Sequence, residues 1–399
     1  MVSSFGWLDV DAQQRQKMLE VVALFREQGT VDDLGVGTIR DAISDLLFPG
    51  TSVLHTRLRY VLFVPWLMQR AAHKSSPTEM SAEFRRLEFR LITSLMAGGE
   101  TQGVIGNRAR TNLKQLPSAM YWSALDAWGV RDVATADAYF RRMHDTRALQ
   151  RRTAATDDPE SRAFVPATGI DPHLPPAPDE LLNATGLALT PAEEQYLSDR
   201  IAASTRGSML AWLVHHPPGE LPRRVWDLEH LDEAPEHLRV AVDHARRYSL
   251  AIHGAALLYN LLLAEASEQE ELVDAYRDAL GDWRSELDAT GALADWDRAD
   301  FWATVHASNP RVRAVTRAFV DRWLDLIAAH DGVADADEAR ILVSTREKSI
   351  KGGRARLLNQ SALDRWTGAS GTGRHDFRWL VARSHLEDLY SARGIEVAA

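Results

Sequence analysis

Apolar residues recur along most of this chain at steps of three and four, the spacing of one face of a helix. Asp11–Gln28 places Met18, Val21, Val22 and Phe25 on one stripe, with Gly29 set as a C-terminal cap. Thr78–Met96 repeats the pattern through Phe84, Leu87, Leu91 and Leu95. Glu236–Glu265, Glu268–Leu287 and Pro310–Ala329 continue it, the last with Val312, Val315, Phe319, Trp323 and Leu326. Strand signals are few: Ile341-Leu342-Val343 reads as one, and Tyr60–Val64 is ambiguous. The pattern predicts a mainly α fold.

The longest apolar runs are Tyr60–Met68 and Ala251–Ala266. The first is far short of the roughly 20 residues that a spanning helix needs. His253 and Asn260 interrupt the second, which reads as a buried core helix. The opening Met1–Asp9 lacks a basic flank and an apolar stretch of signal-peptide length. A cytoplasmic protein without a membrane partner is expected.

Turn-forming residues divide the chain. Thr156–Glu180 contains Pro159, Pro166, Pro172, Pro175, Pro176 and Pro178, and each removes a backbone donor. The expected organisation is a helical N-terminal domain over 1–155, an exposed Pro-rich linker over 156–180, a helical domain over 181–335 and a small basic C-terminal subdomain over 336–399. His215-His216-Pro217-Pro218-Gly219 makes a lesser break. No internal repeat is evident.

At 399 residues the chain can build two or three sizeable cores. The absence of Cys excludes disulfides, thiolate nucleophiles and Cys-held zinc or iron–sulfur centres. The 12 Trp residues are expected mostly as core anchors, since an indole buries a large area.

Charge changes the picture more than composition does. Arg340, Arg346, Lys348, Lys351, Arg354, Arg356, Arg365, Arg374, Arg378 and Arg383 face only Glu347, Asp364 and Asp376 within the same segment. That is about +7 in a chain of formal net charge −10, leaving about −17 elsewhere. A basic segment on an acidic chain suggests contact with a polyanion.

Two stretches could make it. In Gly103–Val130 a short helix over Asn107–Gln115, a turn at Pro117-Ser118 and a second helix to Trp128, closed by Gly129, match a helix-turn-helix. Arg108, Arg110 and Lys114 would meet phosphates, with Tyr121 on the reading face; alternatively Met120, Trp122 and Leu125 are simply core. The second is Lys348–Arg356, where Gly352 and Gly353 permit close backbone approach beside Lys348, Lys351, Arg354 and Arg356. Arg374 and Arg378 follow among His375, Phe377 and Trp379, an interleaving suited to stacking on bases, or to a basic surface over a Trp-anchored core. A third cluster, Arg40, Arg57 and Arg59, could clamp a phosphate through Arg57 and Arg59, but internal pairing with carboxylates such as Asp41, Asp45 or Glu88 is the favoured expectation.

No His-Glu-x-x-His and no Gly-x-Ser-x-Gly elbow is present. Glu347-Lys348 faintly resembles the acidic/Lys pair of metal nucleases but lacks its Glu-x-Lys spacing. No cofactor is implied, and whether the chain is an enzyme stays open.

Several segments occur in an order that resembles a family. They are Ser4–Asp9, Leu34–Asp41, Leu47–Ser52, Thr56–Tyr60, Gly103–Gly106, Pro117–Trp122, Arg356–Asn359 and Trp366–Trp379. Together they resemble uncharacterised bacterial proteins classed as a domain of unknown function spanning the whole chain. The resemblance carries no activity, cofactor or catalytic residues; it implies proximity to helicase-type genes in mobile or phage-defence loci. The expectation is a non-catalytic, DNA- or RNA-contacting subunit of a defence or DNA-processing assembly, with a helicase or other defence protein as partner. The alternatives are a metal-dependent nuclease using Glu347 and Lys348, and a scaffold whose basic block docks an acidic partner.

Overall fold

A computed structural model describes residues 32–107, 113–154 and 168–398. In chain order its longer elements are α1 (Gly37–Leu47), α2 (Tyr60–Ala71), α3 (Pro77–Ala97), α4 (Pro117–Ala127), α5 (Ala136–Ala154), α6 (Pro191–Ser204) and α7 (Met209–His215). They continue with α8 (Glu236–Ala266), α9 (Glu270–Ala289), α10 (Arg298–Ser308), α11 (Ala314–Ala329), α12 (Asp337–Lys351), α13 (Gln360–Leu363) and α14 (Trp379–Ala392). No strand forms among the described residues; Arg131–Ile170 and Glu220–Ala398 make isolated bridges. The mainly α expectation holds. The amphipathic stretch Asp11–Gln28 lies outside the described residues.

The chain folds as two compact units, one containing Arg239–Phe377 with residues up to Ile43, the other containing Ser44–Leu238 with Arg378–Ala399. This departs from the expected succession 1–155, 181–335 and 336–399. Each unit is assembled from segments far apart in sequence, so local composition does not mark its edges.

In the Ser44–Leu238 unit, α2 is buried along nearly its whole length and packs on α3 and α4. Its apolar residues lie on every face, which is why a short run read as ambiguous. Ser76 caps α3 by accepting the Glu79 N–H, with Pro77 in the first turn. A capping box between Thr190 and Glu193 opens α6, which packs with α7 and α14. Arg57 binds Asp388 at 2.7 Å and Arg59 binds Glu193 at 2.7 Å, so this Arg cluster is internal.

The described part of the Pro-rich segment, 168–180, is largely exposed or half-buried but is tied to its own unit. Its carbonyls still accept although its prolines cannot donate: the Asp132 N–H reaches Gly169 O at 3.1 Å, and the Trp66 indole reaches Pro175 O at 2.7 Å. Within it Ile170 is buried.

The other unit is built around α8. This helix is long and apolar enough to cross a membrane by length and composition, but 72% of its most apolar window is buried in the fold. Trp283 and Trp323 donate their indole N–H groups to Leu250 O and Ala251 O of α8 at 2.8 and 2.9 Å. Gly254 lets Trp283 approach, since a Cβ there would lie 2.3 Å from the indole. The expected strand Ile341–Val343 is instead part of α12. Ala339, Val343, Arg346 and Glu347 are buried at helical spacing while Ile341 is 63% exposed. A three-residue apolar run yields to the longer helical period around it.

Candidate nucleic-acid interface

The end of α12 sits on a closed polar network. The Lys351 ammonium bonds Asp33 Oδ1 at 2.5 Å, Tyr259 OH at 3.0 Å and Glu347 Oε1 at 3.0 Å. The Arg356 guanidinium donates to Asp33 at 3.2 Å and to Ser370 Oγ at 2.8 Å, and Ser370 donates in turn to Asp33. Glu347 is fully buried and also accepts the Tyr259 hydroxyl at 2.6 Å and the N–H groups of Arg356 and Leu357 at 2.8 and 3.2 Å. Burial opposes its ionisation, but the bonds from Tyr259, Arg356 N–H, Lys351 and Leu357 N–H outweigh it and hold the carboxyl below its usual range. Two carboxylates balance two cations, so the network as a whole is neutral.

This corrects the expectation for Lys351 and Arg356, which are internal partners of carboxylates rather than outward cations. Arg374 pairs with Glu286 and Arg378 with Asp45. Arg340 pairs with Glu265 and Arg383 with Glu387. Arg346 is buried against the carbonyls of Leu34 and Gly35 at 2.8 and 3.1 Å, over the Phe319 ring. Apart from Glu347, the opposing carboxylates lie outside the basic segment, where counting charges along the segment does not find them.

Three of the ten cations remain outward. Lys348, Arg354 and Arg365 are exposed, and their side chains make no hydrogen bond or ion pair among the described residues. Lys348 and Arg354 flank a tight turn in which the Gly352 N–H bonds Lys348 O, Gly352 has φ 54°, and Asn359 Nδ2 bonds Gly353 O at 2.9 Å. A Cβ built at Gly352 or Gly353 would meet nothing within 4 Å, so the turn stands open.

The helix-turn-helix candidate fares differently. Pro117–Ala127 is helical as expected, but Leu113–Gln115 is not, and Arg108 and Arg110 lie outside the described residues. Lys114 is exposed. Tyr121 is fully buried; its hydroxyl accepts the Thr56 and Arg57 N–H groups at 2.8 and 3.1 Å and donates to Arg57 O. It is a core tie, not a reading residue. Lys114, Tyr121 and Arg378 belong to one compact unit; Lys348, Lys351, Arg354, Arg356 and Arg374 belong to the other.

A family described as "Family of unknown function (DUF6361)" matches the chain over residues 2–393. The chain belongs to that family. No curated protein and no solved structure matches it. The DUF6361 match spans both compact units, so the turn and the network beneath it fall within one family domain.

Chemically, the site is a rigid cationic turn over a neutral base. Glu347 and Lys348 do not form the nuclease pair considered above: all of Glu347's accepting capacity faces inward, while Lys348 is exposed. Among the described residues no group of three or more His, Asp or Glu is placed to hold a metal. Sequence reasoning missed Asp33, Tyr259 and Ser370 as the anchors of this turn. One signal was available: Asn260, polar within an apolar run, must be bonded, and it holds Ser370 through both its backbone N–H and C=O.

Proposed function

We propose that this DUF6361 protein is a non-catalytic, cytoplasmic component that contacts nucleic-acid backbone through the Lys348–Arg354 turn, with Arg365 beside it in sequence. The observation that carries the reading is the pairing of exposed Lys348 and Arg354, unpartnered among the described residues, across an open Gly-Gly turn that is fixed from below. Unpaired cations on a preorganised loop suit phosphate oxygens, and the open glycines admit a bulky backbone. The assembly would be the defence or DNA-processing one that the family resemblance implies, with a helicase or other defence protein as partner. A helix-turn-helix contribution from Lys114, with Arg108 and Arg110, belongs to the same proposal.

A second reading is favoured by Ile350 and Leu358, which are 40% and 59% exposed near the same turn. Apolar residues beside cations suit an acidic partner polypeptide. Lys348→Glu, Arg354→Glu and Arg365→Glu together separate the two. The nucleic-acid reading expects an unchanged fold and lost binding to DNA or RNA. Retained nucleic-acid binding, with loss of a protein partner that survives nuclease treatment, overturns it in favour of the second.

A further inference from the structure

The break His215–Gly219 has a second face. Within the Ser44–Leu238 unit a recess of about 220 Å³ is lined by Trp212, Leu213, His216, Leu228, His230 and Glu233, with Pro217 and Pro218 at its edge. Pockets for drug-sized ligands run to about 300–1,000 Å³, so this one takes a group of side-chain size rather than a nucleotide or cofactor. Its floor is apolar, because Leu213 and Leu228 are buried. One wall is aromatic: the Trp212 and His216 rings stack with centroids 4.7 Å apart and an interplanar angle of 10°.

Glu233 gives the recess a carboxylate acceptor. His216 Nδ1 lies 2.8 Å from Trp212 O. A carbonyl only accepts, so Nδ1 is the donor of this bond. His230 lies between two carboxylates, with Nδ1 3.4 Å from Glu233 Oε1 and Nε2 3.8 Å from Glu229 Oε2. Asp227–Glu236 contains Asp227, Glu229, Asp232, Glu233 and Glu236 and no Lys or Arg. An apolar floor, an aromatic wall and a carboxylate at the rim fit a cation carried on an aliphatic stem.

We infer that this recess captures a lysine or arginine side chain of a partner polypeptide, the stem over Leu213 and Leu228 and the charged head against Trp212 and Glu233. The inference is independent of the Lys348–Arg354 turn, which would bind the opposite charge.

The test uses the full chain labelled with 5-fluorotryptophan, with the Trp212 resonance assigned through Trp212→Phe. If that variant does not fold, labelled histidine and the His230 ring signals replace it. n-Butylammonium and n-butylguanidinium should shift the signal saturably, and n-butanol should not. A short Ala-Ala-Arg-Ala-Ala peptide should bind at least fivefold tighter than spermidine, and Glu233→Gln should weaken it at least fivefold. Lys348→Glu with Arg354→Glu should change nothing here. Equal response to butanol, no saturable shift, indifference to Glu233→Gln, or preference for spermidine would each overturn the assignment.

Discussion

Acid should act on this protein through a buried histidine pair. His55 is 5% exposed and stacks on Tyr121 at 4.0 Å, and His385 is wholly buried with its ring 5.5 Å from that of His55. His55 Nε2 meets Met120 O at 3.0 Å, while His55 Nδ1 and both His385 nitrogens have no hydrogen-bond partner among the described residues. Burial holds His55 down at about 4, against the Met120 bond and helped by Arg378. Burial, with repulsion from His55, holds His385 well below its usual value of 6.5.

The sign follows from proton counting. Below pH 6.5 the unfolded chain takes up protons that the folded pair refuses, so stability falls on acidification until the folded rings titrate. For His55 the full effect is about 3 kcal/mol, of which about 2 kcal/mol is lost between pH 7.5 and 5.0. Glu88 acts oppositely: burial pushes it up to about 7 despite the Ser118 N–H that it accepts. It takes a proton in the folded state before the unfolded one does, and it offsets about 2 kcal/mol over the same range. The wild-type slope is therefore blunted, and the informative comparison is between variants.

His385→Leu removes one buried base and its two unpartnered nitrogens. Losing that desolvation cost, about 1–3 kcal/mol, should roughly balance the imperfect fit of leucine, about 1–3 kcal/mol, leaving stability at pH 7.5 nearly unchanged. Between pH 7.5 and 5.0 the variant should lose about 2 kcal/mol less than wild type. Equilibrium urea unfolding at both pH values measures this. Parallel losses in the two proteins, or a variant that is unfolded at pH 7.5, would refute the reasoning.

Glu347→Ala should cost about 3–5 kcal/mol in urea unfolding, because it leaves the Tyr259 hydroxyl and two backbone N–H groups without an acceptor and the buried network with one uncompensated positive charge; a change under about 1 kcal/mol would mean that the network is not structural. Gly254→Ala should lower the unfolding midpoint by the equivalent of about 1–3 kcal/mol from overpacking against Trp283, despite the gain of about 1 kcal/mol in helix propensity. A stabilised variant would show that α8 and α9 can separate at no cost.

The helices were legible because amphipathic period and caps act locally. Thr78–Met96 was expected and Pro77–Ala97 forms; Glu236–Glu265 was expected and Glu236–Ala266 forms. What depends on distant residues was not legible. Ile341–Val343 has strand propensity, but its fate was decided by Ala339, Arg346 and Glu347 reaching the core with Val343. Tyr121 looked available for a base until Thr56 and Arg57, more than sixty residues earlier, occupied its hydroxyl. The Pro-rich stretch looked like a linker because proline cannot donate, yet 168–180 is tied down by the carbonyls of Gly169 and Pro175 and by Asp171, whose N–H reaches Val130 O and whose carboxylate accepts the Tyr196 hydroxyl.

Charge was the least legible property, and its redistribution sets a quantitative demand on the proposed function. Ten phosphate contacts by the basic segment would give a salt slope of about −9, but the three cations left outward give about −2.7. Between 50 and 200 mM salt the affinity should then fall about 40-fold rather than by five orders of magnitude. Such a turn binds weakly alone, which fits one subunit of a larger assembly better than a self-sufficient DNA-binding protein. The triple Glu variant at Lys348, Arg354 and Arg365 should remove that share of the slope and leave only what Lys114, Arg108 and Arg110 supply, while Lys351→Met with Arg356→Met should disturb folding before it disturbs binding. A slope of −6 or steeper that persists in the triple variant would place the contact on other cations and remove the turn from the function altogether.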